Sequence, residues 1–136
     1  MEVGMLSVVS PLSDREEQLF TLAMDCAFAV HRELGPGYRE KIYETAYCLE
    51  LDSKGIKFER EKKIDVRYKQ WVIPGQRIDL VLEGLVLVEI KAVPKLLKLH
   101  ERQVRSYLTT MGLRVGLLVN FNTVLVKNGM RRIVST

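Results

Sequence analysis

The sequence predicts a single α/β domain in which helices flank one mixed sheet. Its 136 residues suffice for one hydrophobic core, and helical and strand periodicities alternate along the chain. The predicted order is two helices, three strands, a third helix and a fourth strand, with a peripheral end. One sheet with helices packed on it follows from that order. We assign residues 1–12 to an N-terminal tail and residues 13–136 to the domain.

Two amphipathic helices are predicted first. The segment Ser-Asp-Arg-Glu at 13–16 has the pattern of a capping box, and apolar residues then recur at helical spacing until the Gly-Pro-Gly at 35–37. A second helix is predicted from about Glu40 to Lys54, with Gly55 as its stop.

Three strands are predicted in the middle of the chain. Apolar residues alternate sparsely between Phe58 and Val72, which is typical of an edge strand. Pro74-Gly75 then leads into residues 77–91, where two apolar runs meet at Glu83-Gly84. That pattern predicts a β-hairpin.

The last third of the chain predicts one helix and a buried strand. The helix is expected from Pro94 to about Met111, closed by Gly112. The continuous apolar run from Arg114 to Phe121 suits a buried strand. One or two short peripheral strands are expected between Val124 and Val134, with a turn at Asn128-Gly129.

The composition is that of a globular protein outside the membrane. With 47% hydrophobic and 28% charged residues, and no apolar run near the roughly 20 residues that span a bilayer, we expect a cytoplasmic protein with no membrane partner. Cys26 and Cys48 fall in helical patterns without a CxxC motif, which favours buried free thiols. The net charge of +4 mildly favours polyanionic partners and decides nothing alone.

Three charged residues interrupt the predicted hairpin where buried strands should carry none. Asp79 lies in the first strand, and Glu89 and Lys91 share one face of the second because strand side chains alternate. An acid opposite an acid destabilises a fold unless something such as a divalent cation compensates.

The register of the hairpin decides whether the two acids meet. A two-residue turn at Glu83-Gly84 would place Asp79 opposite Val88, and Asp79 and Glu89 would then face opposite sides of the sheet. We therefore predict a three-residue connection or a β-bulge. Acids on opposite faces would refute a metal site.

Given that register, Asp79 and Glu89 would hold Mg²⁺ or Mn²⁺, helped by the Ile90 carbonyl. The metal would polarise a scissile phosphate and activate water, and Lys91 would orient that water or stabilise charge on the phosphate. The alternative is that Asp79 begins a strand at its solvated end and that Glu89 and Lys91 form a surface pair.

Two helices offer further side chains. Gln103 and Tyr107 are four residues apart on one flank of the predicted core stripe, where Gln103 would bond a phosphate or a water and Tyr107 would present its hydroxyl. The alternative is that both merely border the core. Glu40 or Glu44 would complete the metal shell from the second helix. The alternative is that the acid merely stabilises the first turn of that helix, which suits Glu40 better than Glu44. The predicted core stripe of the third helix is Leu97, Val104, Leu108 and Met111.

The third helix also carries a basic flank opposite Gln103 and Tyr107. For this flank we favour a solvated face, with a distal contact to a DNA backbone as the alternative. Its members are Lys95, Lys98, Arg102 and Arg105.

The segment Gly37-x-x-Glu40-x-x-Tyr43 resembles the defining motif of the GxxExxY proteins, a group within the PD-(D/E)XK nuclease superfamily. The similarity covers roughly Val30 to Phe121. It includes His31-x-x-Leu34-Gly35-Pro36-Gly37, Arg77-x-Asp79, Val88-Glu89-Ile90-Lys91-Ala92 and Gly116-Leu117-Leu118-Val119-Asn120-Phe121.

The resemblance implies a restriction-endonuclease-like αβββαβ core with Asp79, Glu89 and Lys91 as the catalytic set. Glu40 would be the acid supplied by a helix, with Glu44 as its competitor. Gln103-x-x-x-Tyr107 is similar to the Q-x-x-x-Y element of RecB-type exonucleases, which supports a nucleic-acid substrate. The sequence departs from the superfamily pattern in having no proline before Asp79.

We therefore expect a nuclease that uses Mg²⁺ or Mn²⁺ to hydrolyse phosphodiester bonds in DNA. So small a domain has little surface for reading a long sequence, so cleavage should be structure-dependent or weakly specific. A homodimer would supply the two sites that paired strand breaks need. The alternatives are a non-catalytic nucleic-acid-binding or interaction module, RNA cleavage, and a structural domain with charged surface strands.

Overall fold

Nine elements are seen in the computed structural model, which describes residues 10–135. In chain order they are α1 (Asp14–Leu34), α2 (Glu40–Ser53), β1 (Phe58–Tyr68), β2 (Trp71–Leu82), β3 (Val86–Lys91), α3 (Lys98–Met111), β4 (Val115–Asn120), a 3₁₀ helix (Val126–Gly129) and β5 (Met130–Val134).

The strands form one mixed sheet in the order β1-β2-β3-β4-β5. Only β3 and β4 are parallel, and α3 makes the crossover between them. The other neighbours are antiparallel. This arrangement confirms the predicted α/β, restriction-endonuclease-like fold, and β1 lies at an edge as its sparse alternation indicated. The predicted end of that strand at Val72 is wrong, because the chain turns at Lys69-Gln70 and Trp71 already belongs to β2.

Helices cover both faces of the sheet. Leu80 and Leu82 of β2 belong to the core cluster that contains the buried side chains of α1 and α2. Val81, between them, belongs to a second cluster with Val104 and Leu108 of α3. The alternation of strand side chains therefore separates two apolar layers.

The first two helices confirm their sequence signals. Ser13 caps α1, since its hydroxyl accepts from the Glu16 N–H and the Glu16 side chain accepts from the Ser13 N–H. Gly35 ends the helix at φ +64°, a value that glycine adopts without strain.

The prediction for the start of the third helix is wrong. The helix begins at Lys98 rather than Pro94, because the Asn120 side chain binds both the N–H and the carbonyl of Val93 and fixes the chain there outside the helix. Leu97 precedes the helix and is 54% exposed, so it does not belong to the core stripe. Val104 and Leu108 are fully buried, as predicted.

The chain ends carry two further results. A 3₁₀ helix and one strand, β5, follow β4. Of the one or two peripheral strands that were predicted, the structure therefore has one. Leu12 is buried in the core, whereas most of the predicted tail, residues 1–9, lies outside the described residues.

Two further findings concern the thiols and the helices. Cys26 and Cys48 are free and buried, which confirms the expectation for both thiols. Among residues 10–135, no helix has the length and apolarity that crossing a membrane requires.

Candidate active site

The β2–β3 connection has the odd length that the sequence argument required. Leu82 pairs with Val86 and Leu80 with Val88, so three residues, 83–85, form the turn. Glu83 and Gly84 both have left-handed backbone angles, φ +51° and +67°. The three-residue connection brings Asp79 and Glu89 together.

The two acids lock the fork at which β2 and β3 separate. Beyond Leu80, the Asp79 N–H donates to Glu89 Oε1 at 2.9 Å and the Ile90 N–H donates to Asp79 Oδ2 at 2.8 Å. Each carboxylate thus takes the place of a backbone acceptor on the facing strand. The outcome that would have refuted the site, acids on opposite faces, does not occur.

This crossed pair places two carboxyl groups close together in a largely buried environment. Burial, and secondly the Asp79 carboxylate, raise the pKa of Glu89 to about 8. Burial also raises the pKa of Asp79, although the hydrogen bond from Ile90 N–H lowers it. Among the described residues, no hydrogen bond reaches the second oxygen of either group, so both oxygens are available to a ligand.

Lys91 stands beside the pair and is held by α3. Its Nζ donates to Gln103 Oε1 at 2.9 Å and lies 4.0 Å from Glu89 Oε2. Lys91 and Gln103, predicted separately as site residues, are therefore in direct contact. The predicted metal ligand at the Ile90 carbonyl stays a prediction, since the contact that the structure gives this residue is made by its N–H.

Tyr107 closes the α3 side of the site. It is 6% exposed, and its hydroxyl accepts from Gln76 Nε2 at 2.6 Å. Burial raises its pKa to about 12, so the hydroxyl keeps its proton and acts as a neutral hydrogen-bonding group.

The structure brings both candidate acids of α2 to the fork. One oxygen each of Glu40, Glu44 and Asp79 lie within 4.8 Å of one another. Glu44 is buried and its Oε2 accepts from Arg60 Nε at 2.7 Å, so a guanidinium compensates it.

Glu40 differs from Glu44 in being open to solvent. The residue as a whole is exposed, but its carboxyl lies beside Asp79, and local desolvation followed by that charge raises its pKa. An accessible carboxylate with raised pKa suits direct binding of a cation. The paired Glu44 suits support of the site instead.

A cleft of about 550 Å³ opens over these side chains. Asp79, Glu89, Lys91, Gln103 and Tyr107 all line it. Its outer wall comes from β1 and β2, through Lys63, Ile64, Asp65, Pro74, Gly75, Gln76 and Arg77. The acids therefore lie at the floor of a groove whose rim is partly basic.

Comparison with known proteins identifies the family. A family model described as PD-(D/E)XK nuclease superfamily matches residues 17–133. The chain belongs to the PD-(D/E)XK nuclease superfamily. The solved structure "Crystal structure of SSO0001" shares the fold, with a TM-score of 0.53 and 19% identity over 96% of this chain and 71% of that chain. No curated protein matches significantly.

In this PD-(D/E)XK protein, Tyr43, a motif residue to which the sequence assigned no role, positions the helix that carries Glu40. Tyr43 Oη donates to the Gly35 carbonyl at 2.6 Å and accepts from the Tyr38 N–H at 3.1 Å. Its ring stacks on Phe121 with centroids 4.8 Å apart. Gly37, at φ +111°, allows the bend between the bonded residues. The motif G-x-x-E-x-x-Y therefore describes a loop pinned in front of an acid.

Three further residues of the PD-(D/E)XK site were missed, and each acts through another residue. Arg60 compensates Glu44, Gln76 binds Tyr107, and Asn120 fixes the chain after Lys91 through Val93. These partners lie 16 to 31 positions apart. Nothing in the local pattern links them.

Proposed function

We propose that this protein is a metal-dependent nuclease that hydrolyses phosphodiester bonds in DNA. The observation that carries the proposal is the fork, where Asp79 and Glu89 bind each other's backbone and Lys91 stands beside them. Membership of the PD-(D/E)XK superfamily supports nuclease chemistry for this chain. A surface ion pair would not be built into a buried strand junction.

The donor set fits a hard divalent cation. Glu40 and Asp79 offer carboxylate oxygens within 4.8 Å of each other, and Glu89 adjoins them. Oxygen ligands and uncompensated negative charge are what Mg²⁺ and Mn²⁺ require. The bound cation would supply a Lewis acid and offset the charge of the acids.

The other side chains would orient and stabilise the substrate. Lys91 would place its ammonium against the phosphate or the attacking water, since its Nζ already faces the acid pair. Gln103 would fix the direction of that ammonium through its 2.9 Å hydrogen bond. Tyr107 would keep its proton and act as a neutral wall of the cleft.

Finer assignments extend the same proposal. We place the chain among the GxxExxY proteins, supported by the pinned loop of Gly37, Glu40 and Tyr43. Cleavage would depend on DNA structure or be weakly sequence-specific, and a homodimer would pair two sites.

A cleavage panel tests the proposal. Single-stranded, duplex and branched DNA and RNA are incubated with the protein in Mg²⁺, Mn²⁺ or chelator. We expect cleavage of DNA only with metal, and a loss of about 100-fold or more in Lys91→Met. Lys57→Met, at an exposed lysine outside both the cleft and the basic flank, is the control and should match the wild type.

Two results would contradict the proposal. Cleavage that persists in chelator would exclude a metal-dependent site. DNA binding without cleavage under any metal condition would favour the non-catalytic module instead.

A further inference from the structure

The outer half of the β1–β2 hairpin, residues 62–77, projects from the sheet as an exposed arm. Ile64 is the last buried residue along β1, at 7% exposure. Tyr68, at the end of the strand, lies roughly 13 Å farther out, at about 3.3 Å per residue. Large apolar side chains on this arm are exposed by 39–56%, namely Val66, Tyr68, Trp71, Val72 and Ile73.

Four of these side chains form one stripe that continues the active-site face. Val66 pairs with Ile73 and Tyr68 with Trp71, and residues paired directly across antiparallel strands share a face. Ile64 lies two residues before Val66 on β1, on the same face, and pairs with Gln76 just before the register shift between Ile64 and Val66. Gln76 binds Tyr107 of α3, so the stripe faces the side of the sheet that carries the cleft.

The arm also carries a concentration of positive charge. Residues 62–77 contain five Lys or Arg residues and a single acid, Asp65. The net charge of the arm is therefore +4, which equals that of the whole chain. In the described part of the chain, Lys63, Arg67 and Lys69 form no ion pair. Lys69 Nζ lies 5.4 Å from the centre of the Tyr68 ring, so an aromatic face and a cation are presented together at the tip.

Neighbouring concavities with shared lining residues lie between the arm and the acids. The cleft over Asp79 and Glu89 reaches Asp65, which also lines a second concavity with Val66, Arg67 and Thr109. Thr109 in turn lines a third concavity with Arg102 and Arg105. Arg102 and Arg105 of α3 therefore lie beside the concavity that adjoins the arm.

We propose that the arm binds a single-stranded segment of nucleic acid and directs it into the cleft. Tyr68 and Trp71 would stack on bases, and Arg67 and Lys69 would contact phosphates. A single strand is specified because stacked bases in a duplex expose no face to an aromatic side chain. A second copy of this chain fits less well, since two arms would bring like charges together. The inference rests on the proposed function only in treating this strand as the substrate.

Trp71 allows a direct test because it is the only tryptophan in the chain. The full-length protein is titrated in chelator with short oligodeoxythymidylate, oligouridylate or blunt duplex, and tryptophan fluorescence is recorded. Both single strands should quench the emission, and the duplex should not. Tyr68→Ala should weaken single-strand binding roughly tenfold, the effect of losing one stacked base. Leu49→Ala, another exposed apolar residue outside the arm, is the control and should bind like the wild type.

Several outcomes would overturn the inference. Equal binding by Tyr68→Ala and wild type, or quenching by duplex alone, would exclude stacking of a single strand. A Trp71→Ala variant that dissociates a dimer without weaker DNA binding would make the arm a self-association surface. Quenching without any cleavage in Mg²⁺ would contradict the proposed nuclease function but support strand binding by the arm. Cleavage that is insensitive to Tyr68→Ala would support the nuclease function but contradict strand binding by the arm.

Discussion

At the residue scale, Glu89 is held in an environment that disfavours its charge. Its pKa is about 8 in the folded protein against an ordinary value of 4.5, because of burial and the adjacent Asp79 carboxylate. Between these values the folded state retains a proton that the unfolded state releases. The free energy of unfolding of metal-free protein should therefore fall as pH rises from 4.5 to 8.

Glu89→Gln tests this linkage, since the amide oxygen still accepts the Asp79 N–H and carries no charge. At pH 8.5 in chelator, the free energy of unfolding of the variant should exceed that of the wild type by about 2 kcal/mol. This is less than the full effect of the pKa shift at about 1.4 kcal/mol per pKa unit. The gain should vanish near pH 5. Urea denaturation at both pH values measures it, and a gain that is equal at both would contradict the assigned cause.

Two buried tyrosines provide a matched pair of variants. Tyr43→Phe removes the hydrogen bonds to Gly35 and Tyr38, and Tyr47→Phe removes the one to the Ala23 carbonyl at 2.8 Å. Each should lower the free energy of unfolding by about 1 kcal/mol. Only Tyr43→Phe should also weaken Mn²⁺ binding, measured by calorimetry, because its loop precedes Glu40. Equal Mn²⁺ affinity in both variants would show that the loop does not position the acid.

At the scale of elements, the three-residue turn is decisive because its length fixes the register of β2 against β3. That register puts Asp79 and Glu89 on the same face of the sheet. This feature could be predicted from the sequence, since the side-chain period of a strand is two and the acids had to meet. The start of α3 could not be predicted. Proline is common at the first position of a helix, which favoured Pro94, whereas the Asn120 amide that fixes Val93 lies 27 positions away.

Gly84 gives the turn its conformation at φ +67°. Gly84→Val should lower the free energy of unfolding by roughly 1–2 kcal/mol, because a β-branched residue is strained in the left-handed region. Gly84→Asn should cost much less, since asparagine tolerates that region. Urea midpoints compare the two, and equal losses would show that backbone strain is not the cause. Cleavage by the folded fraction should be unchanged in both.

At the scale of the whole molecule, the site joins three separate layers. The sheet supplies Asp79, Glu89 and Lys91, α2 supplies Glu40 and Glu44, and α3 supplies Gln103 and Tyr107. The sequence patterns were enough to name these residues, because each lies at a break in local periodicity or in a motif. They did not reveal the partners such as Arg60, since charge compensation across packed elements leaves no local signal.

The raised pKa values of Glu40, Asp79 and Glu89 couple metal binding to pH. A divalent cation must displace the protons that these groups hold, so its apparent affinity should increase with pH from 6 to 8 and level off above. The rise should be up to about tenfold per pH unit for each proton released. Calorimetric Mn²⁺ titrations at three pH values in this range measure the slope, and a flat profile would contradict protonated acids in the site.

The most direct test compares two acids of the same cleft. Asp79 belongs to the fork, whereas Asp65 lines the outer wall. In Asp79→Asn the amide oxygen can still accept the Ile90 N–H, so the fold is kept while a negative ligand is lost. The cleavage rate of labelled single-stranded DNA in Mg²⁺ should fall at least about 100-fold in Asp79→Asn and stay within about threefold in Asp65→Asn. Equal rates in the two variants would contradict an active site at the fork.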